Sequence, residues 1–340
     1  MMALTISKKT ICLSLIFSSL STAIADNNIK IGINYHLLKE DTKNIDISID
    51  KASKLGLTLI RLDFPWDMIE KTPGNYKIPQ QWDDIINNLI SLNISPIIIL
   101  DYGNHNYHNG GKPTTPDSII AYANYANFMA NHFRGRVKYY EIWNEWDSHL
   151  GGKPQSVESY KKLVKPTYTA IKKADSNSQV LTGSFSSSSF NKLLSEGNED
   201  YLKDYLTNDM ADYTDIISIH PYTTYRKGKN KNYESYLEQI NYGVSLVKNN
   251  VAFSKKPIFI TEIGWSTANS KDGVEPATQR EYIQRAICDA NKIGISAIIL
   301  YDLKDESNAV TNNTAAHFGL FDSNWSAKTK TLSLNNIACN

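Results

Sequence analysis

Short apolar runs of strand length alternate with longer stretches of helical spacing along almost the whole chain, and nothing else in the sequence restricts the fold as much. Residues 29–34, 57–63, 96–100, 137–142, 180–183, 216–220, 257–261 and 297–301 read as eight strands. The third, Pro96-Ile-Ile-Ile-Leu100, is apolar on both faces, as strands of a buried parallel sheet are. Between the runs, apolar residues recur at helical spacing, first at Trp82, Ile85, Ile86, Leu89 and Ile90, where Trp82 reads as core. Thr115-Pro116-Asp117 supplies an N-cap, a proline at the first helical position and an early acid. Further helical stripes run through Tyr160, Leu163, Val164 and Ile171, with a kink expected at Pro166. Others run through Tyr236, Ile240 and Val247, then through Tyr282, Ile283, Ala286 and Ile287, and a last helix is expected near Leu334 and Ile337. Eight β-then-α repeats predict an α/β fold, a single (β/α)8 TIM barrel. A doubly wound sheet usually carries a Gly-rich turn after its first strand, and Gly32 alone does not supply one. No linker or second domain interrupts the pattern, and Ser184 to Ser189 reads as a polar loop.

The first 25 residues read as a signal peptide: Lys8 and Lys9, an apolar core from Ile11 to Leu20, and a small-residue site at Ala23-Ile24-Ala25. That stretch is too short and too broken by Ser and Thr to span a bilayer, and no other segment could. Cys12 lies too early in it for a lipid anchor. The expectation is a secreted or periplasmic protein whose catalytic domain covers residues 26–340. Losing two lysines takes the formal charge from +1 to −1 (+1 − 2). A near-neutral chain without a basic block offers no electrostatic footprint for nucleic acid. Cys288 and Cys339 then remain. In an oxidising compartment they could form a disulfide tying the C-terminus to an outer helix; the alternative is a buried thiol and a frayed terminal one.

In a (β/α)8 barrel the active site lies at the C-terminal strand ends. Here those ends carry Asn34 and His36, Arg61 and Asp63, Asp101, Asn144 and Glu145, His220 and Tyr222, Glu262, Tyr301 and Asp302. Glu145 and Glu262 each sit just past an apolar strand, and a carboxylate is costly to bury unless it is paired or put to use. Several carboxylates, an arginine and aromatic rings match glycosidic bond cleavage, which needs one acid for the leaving oxygen and one carboxylate at the anomeric carbon. Asp63, Asp101, Asp147 and Asp302 could touch sugar hydroxyls or orient neighbouring side chains. His105 and His108 are three apart in an Asn-rich loop with no third ligand nearby, which reads as a glycan-contacting loop and not a metal site. No metal or other cofactor is expected. Tyr225 to Lys231 is a basic stretch that suits either an anionic polysaccharide or plain solvation.

Trp143-Asn144-Glu145 after the fourth strand and Thr261-Glu262-Ile263-Gly264-Trp265 after the seventh resemble the signatures of clan A retaining glycoside hydrolases. Arg61 and His220-Pro221-Tyr222 fit the same clan. The segment from Trp66 to Tyr76 and the tail His317-Phe318-Gly319-Leu320-Phe321 resemble family 39 and related cellulase-like members. The resemblance spans essentially the whole mature chain. It implies a retaining mechanism with Glu145 as general acid/base and Glu262 as nucleophile. Arg61 and Tyr222 would then support Glu262, Asn144 would bind the sugar 2-hydroxyl, and His220 would orient the site. Trp66, Trp146, Trp265 and Tyr301 become candidate stacking platforms, with Asp101 and His36 in supporting positions. Many clan members carry tryptophan at the eighth strand end, where this chain has Tyr301, so the subsite shape departs from the pattern. The reading is a monomeric enzyme acting endo on a polysaccharide or oligosaccharide: a bacterial exopolysaccharide, or a β-glucan, xylan or mannan. A non-catalytic glycan-binding protein and a transglycosylase on the same scaffold are the alternatives.

Overall fold

The computed structural model describes residues 29–149, 151–307 and 309–329, together with Leu334, Ile337 and Cys339. The expected signal peptide lies outside the described residues, as does most of the expected terminal helix, although Leu334 is buried. Eight parallel strands close a barrel in sequence order: β1 Lys30–Asn34, β2 Leu59–Pro65, β3 Ser95–Asp101, β4 Tyr139–Ile142, β5 Gln179–Phe185, β6 Ile216–Ile219, β7 Ile258–Ile263 and β8 Ala297–Leu300. β1 closes the ring by pairing with β8, Ile31 against Ile298.

The main helices are α1 Thr42–Lys54, α2 Trp66–Ile69, α3 Gln80–Ser91, α4 Pro116–His132, α5 Val157–Ala174, α6 Tyr201–Tyr205, α7 Tyr233–Asn249 and α8 Pro276–Lys292. Thr115 caps α4 with Ser118 in a reciprocal box, as the sequence predicts. α5 runs on through Pro166 to Ala174 and does not end there. Two elements differ from the eightfold reading. α1 was not expected, because only Ile45, Ile49 and Ala52 form its buried apolar stripe among Lys, Asp and Ser. The β5–β6 connection, where the eightfold repeat calls for a full helix, holds only the short α6 and the 3-10 segments Ser187–Phe190 and Asn208–Tyr213.

Alternation along each strand sorts the core into two layers. Leu59, Ile97, Tyr139, Leu181, Ile216, Phe259, Ala297 and Ile299 fill the barrel interior. Their strand neighbours, such as Ile60, Ile98, Tyr140 and Ile217, pack outward against the helices. Gly32 keeps the interior closed tightly, since a Cβ there would lie 2.7 Å from that of Leu59. The interior layer is apolar toward the strand starts. Two residues further along, the same inward parity gives Asn34, Arg61, Glu141, Ser218 and Thr261. The barrel thus supplies an apolar floor with a polar storey above it, and the strand-end residues stand on that storey.

Candidate active site

Arg61 is the hub of the polar storey. Its Nε donates to Glu141 Oε2 at 2.5 Å, Nη1 donates to Glu262 Oε1 at 2.5 Å and to Asn34 Oδ1 at 2.9 Å, and Nη2 donates to Asn144 Oδ1 at 2.8 Å. A guanidinium presents five donors in a rigid fork, so one residue fixes four neighbours at once. The Arg61 charge is matched by Glu141 and Glu262. Arg61 and Glu141 are both out of solvent, which is tolerable only because each charge has its partner. The second Glu262 oxygen accepts from the Tyr222 hydroxyl at 3.0 Å. Glu262 is therefore held by a cation and a hydroxyl, the arrangement an anionic oxygen makes.

Glu145 is placed by backbone as much as by side chain. It has φ 48° and Trp143 has φ 65°, two non-glycine residues in the left-handed region around Asn144. Such conformations cost on the order of 1–3 kcal/mol each and persist only where surroundings enforce them. Here the β4–α5 loop folds back over its own start. A Cβ on Gly151 would lie 2.0 Å from the Glu145 carbonyl oxygen, so only glycine fits. The buried Lys112 clasps the loop from one side, donating from Nζ to the Trp146 carbonyl at 2.6 Å and to that of Pro154 at 2.8 Å. Asp147 clasps it from the other, accepting from Ser186 N at 3.0 Å and from Ser189 Oγ at 2.6 Å. The Glu145 carboxyl faces His220, whose Nδ1 is 2.9 Å from Oε1. Burial raises its pKa to about 7, against the Ser148 hydroxyl and the Arg61 and His149 charges, which pull it down.

Donor atoms of Glu145, His220 and Glu262 all lie within 4.8 Å of one another, close enough to surround an ion. The Arg61 guanidinium already sits on Glu262, placing positive charge where a cation would bind, so the donor set is a poor fit to a metal. The same spacing brings the two carboxylates within reach of one anomeric centre.

The remaining predicted residues divide clearly. Three stacking assignments are corrected: Trp66, Trp146 and Trp265 are each at most 3% exposed and present no ring to the cleft. Trp66 is sandwiched between Tyr107 and Tyr125, Trp146 donates from Nε1 to the Ser156 carbonyl, and Trp265 packs on Tyr233, Tyr236 and Tyr282. Their polar edges and broad faces serve the annulus between barrel and helices. Tyr301 remains half-buried at the site, edge-on to Tyr222 with ring centres 6.4 Å apart. His36 is exposed and lies 2.6 Å from Asp63, beside a shallow recess also lined by Met68 and Trp82. Asp63 raises the His36 pKa. Asp101 is wholly buried, and burial together with the Asp63 charge pushes its carboxyl well up, so it is not open to a sugar contact. His105 pairs with Asp67 at 2.8 Å, outside the site.

Glu141, Thr261 and Tyr102 are not site candidates in the sequence reading, and Asn34 is one without its role. Glu141 and Thr261 face into the barrel; inward parity on β4 and β7 marks both, and a charged residue inside a barrel demands a partner. Asn34 was noted as a strand end but not as a ligand of Arg61. Tyr102 is 42% exposed and its hydroxyl accepts from Asn144 Nδ2 at 2.9 Å, giving the site an exposed ring that no sequence signal separated from twenty tyrosines.

Fold and strand-end chemistry together define a clan A glycoside hydrolase. More particularly, the chain belongs to the cellulase family, glycosyl hydrolase family 5, whose model matches residues 23–307. Among solved structures it is similar to a family 39 glycoside hydrolase from the gut symbiont Bacteroides cellulosilyticus WH2, with TM-score 0.72 and 20% identity over 89% of this chain. This chain spans 62% of the length of that one. It is also similar to a GH5_18 protein from Streptomyces cattleya, with TM-score 0.69, 14% identity, and 90% and 79% of the two chains covered. Xylanase 10B from Thermotoga maritima matches with TM-score 0.63 and 18% identity, over 92% of this chain and 95% of its own. At these identities the likeness is one of fold. No curated protein matches the chain.

Proposed function

We propose that the protein is a secreted, retaining β-glycoside hydrolase that cleaves a polysaccharide internally by double displacement. The observation that carries the reading is the unequal setting of two carboxylates, one oxygen of each lying within 4.8 Å of the other. Retaining enzymes hold their carboxyls about 5–5.5 Å apart, and inverting enzymes need roughly 6.5–9.5 Å to admit a water. Glu145, kept protonated by burial up to about pH 7, gives its proton to the leaving glycosidic oxygen. Glu262, held by Arg61 and Tyr222, attacks the anomeric carbon and forms a glycosyl ester. Glu145, now a carboxylate, takes a proton from the water that attacks the same carbon, and the ester breaks with net retention.

Asn144 presents its amide between Arg61 and Tyr102, which suits a contact to the sugar 2-hydroxyl. Tyr102 and Tyr301 are the rings available to sugars, in place of the buried tryptophans. Long loops after β3, β4 and β6 favour an open cleft and internal cleavage. The N-terminal signal and the Cys288–Cys339 disulfide, with Cα atoms 5.3 Å apart, both suit an oxidising compartment outside the cytoplasm. Among the described residues no helix is long and apolar enough to cross a membrane. The substrate classes that fit are bacterial exopolysaccharides and β-glucans, xylans or mannans. Reducing-end release from a panel of these polymers tests the proposal, with Glu262→Gln as control. Release by the wild type that the variant lacks is expected. No release from any polymer would favour a glycan-binding protein on a hydrolase scaffold, and equal release by the variant would mean that Glu262 is not the nucleophile.

A further inference from the structure

Glu145 faces one nitrogen of His220, and a residue on another strand decides what that nitrogen can do. Nδ1 of His220 is 2.9 Å from Glu145 Oε1, and Nε2 is 2.9 Å from Thr261 Oγ1. The Thr261 hydroxyl is in turn 3.0 Å from Glu141 Oε1, an oxygen that also accepts from Ser218 Oγ at 2.7 Å. Glu141 has no proton to give, because its other oxygen takes the Arg61 Nε–H at 2.5 Å and the pair is fully enclosed. A hydroxyl carries a single proton. Thr261 donates it to Glu141 and can therefore only accept from His220. Nε2 then bears the ring proton, and in a neutral imidazole Nδ1 is left as a bare lone pair. That lone pair meets Glu145 Oε1 in a hydrogen bond only when Glu145 brings the proton.

We propose that Glu141, Thr261 and His220 form a hydrogen-bond chain that holds Glu145 in its protonated form, with Thr261 as the positioning residue that fixes the histidine tautomer. The inference rests on reading Glu145 as the acid. The ring is wholly enclosed, and that burial lowers the His220 pKa; the Glu262, Glu141 and Asp147 charges act against it and Arg61 acts with it. Burial drives Glu141 up, but Arg61, His220 and the Ser218 and Ser184 hydroxyls outweigh it and leave the carboxylate below its ordinary range. On the Glu145 side, burial favours the acid, while the Ser148 hydroxyl, Arg61 and His149 favour the carboxylate. The histidine lone pair therefore adds to the side that is winning. Without the Thr261 hydroxyl, a buried Nε2–H would lose its acceptor, which is costly for an enclosed donor. The ring relieves this by taking the other tautomer, and an Nδ1–H then donates to Glu145 and favours its charged form.

The test reads the chain directly in the full-length protein and needs no substrate. Nitrogen-15 spectra of the histidine side chains, with His220 assigned from His220→Gln, should show the Nε2–H tautomer in the wild type. Carbon-13 titration of Glu145, assigned from Glu145→Gln, gives its midpoint. Thr261→Val should move His220 to the Nδ1–H tautomer and lower the Glu145 midpoint by about one unit, a tenfold loss of the protonated fraction above it. Thr261→Ser should restore both. An Nδ1–H or doubly protonated His220 in the wild type overturns the proposal, even if the valine variant does not fold. So does a valine variant whose Glu145 midpoint stays put or rises, or a serine variant as low as valine. A wild type with the expected tautomer that cleaves no glycoside would overturn the proposed function and leave the chain standing.

Discussion

At the scale of single residues, Glu145 and Glu262 are one side chain in two settings. Glu145 is enclosed, faces the buried His220 ring and has its pKa raised to about 7 by burial, whereas Glu262 takes donors on both oxygens. In the proposed mechanism glycosyl transfer to Glu262 requires the protonated acid, so kcat/KM should fall about tenfold per pH unit above roughly 7. Glu145→Gln should remove that fall and lower turnover of substrates with poor leaving groups by about 10²–10⁴-fold. Aryl glycosides of a strongly acidic phenol, which need no proton to leave, should be much less affected. A pH–rate series on both substrate types checks this. Both glutamates were legible in the sequence because each follows an apolar strand that a barrel must bury. Arg61, which bonds Glu262, lies inside β2 and stood out through its resemblance to the clan's pattern. Glu141 and Thr261 were not legible, since a polar residue inside a strand signals nothing until the strand's inward face is known. The tryptophans were misread because an aromatic near a strand end carries no mark of which way it points.

At the scale of elements, the β4–α5 loop is the part of the chain that most needs its surroundings. Left-handed Trp143 and Glu145, the fold-back on Gly151 and a clasp on each side all serve to place one carboxyl. Lys112 is the less expected clasp, a buried ammonium whose only described hydrogen-bond partners are two carbonyls and whose charge lies 4.5 Å from the Trp146 ring centre. Burial lowers its pKa to about 8. Lys112→Met leaves the Trp146 and Pro154 carbonyls without their donor and should destabilise the protein by about 1–3 kcal/mol. Amide exchange should quicken in residues 143–156 before it does elsewhere. Calorimetry and hydrogen exchange by mass spectrometry check both, and uniform exchange over the barrel would contradict the local role. The conformation of this loop was not legible in the sequence, because it comes from Lys112 and Ser186, both distant along the chain.

At the scale of the whole molecule, eight short strands and a closed register were readable from alternation alone. What alternation could not supply was the irregular β5–β6 connection, where small helices replace a full one, or α1, whose apolar stripe is sparse. The chain is closed a second time by Cys288–Cys339, which ties α8 to the tail across 51 residues. In the chain-entropy account a loop of that length contributes about 4 kcal/mol. Reduction without denaturant should therefore lower the Tm measurably, and replacing both cysteines by serine should match the reduced protein. The central claim, that this barrel cuts a glycosidic bond through a glycosyl ester on Glu262, is tested most directly by proton NMR of the anomer first released from the polymer it cleaves. The account predicts that the new reducing end appears with the configuration of the bond that was cut and mutarotates afterwards. First appearance of the opposite anomer would mean direct attack by water and would contradict it.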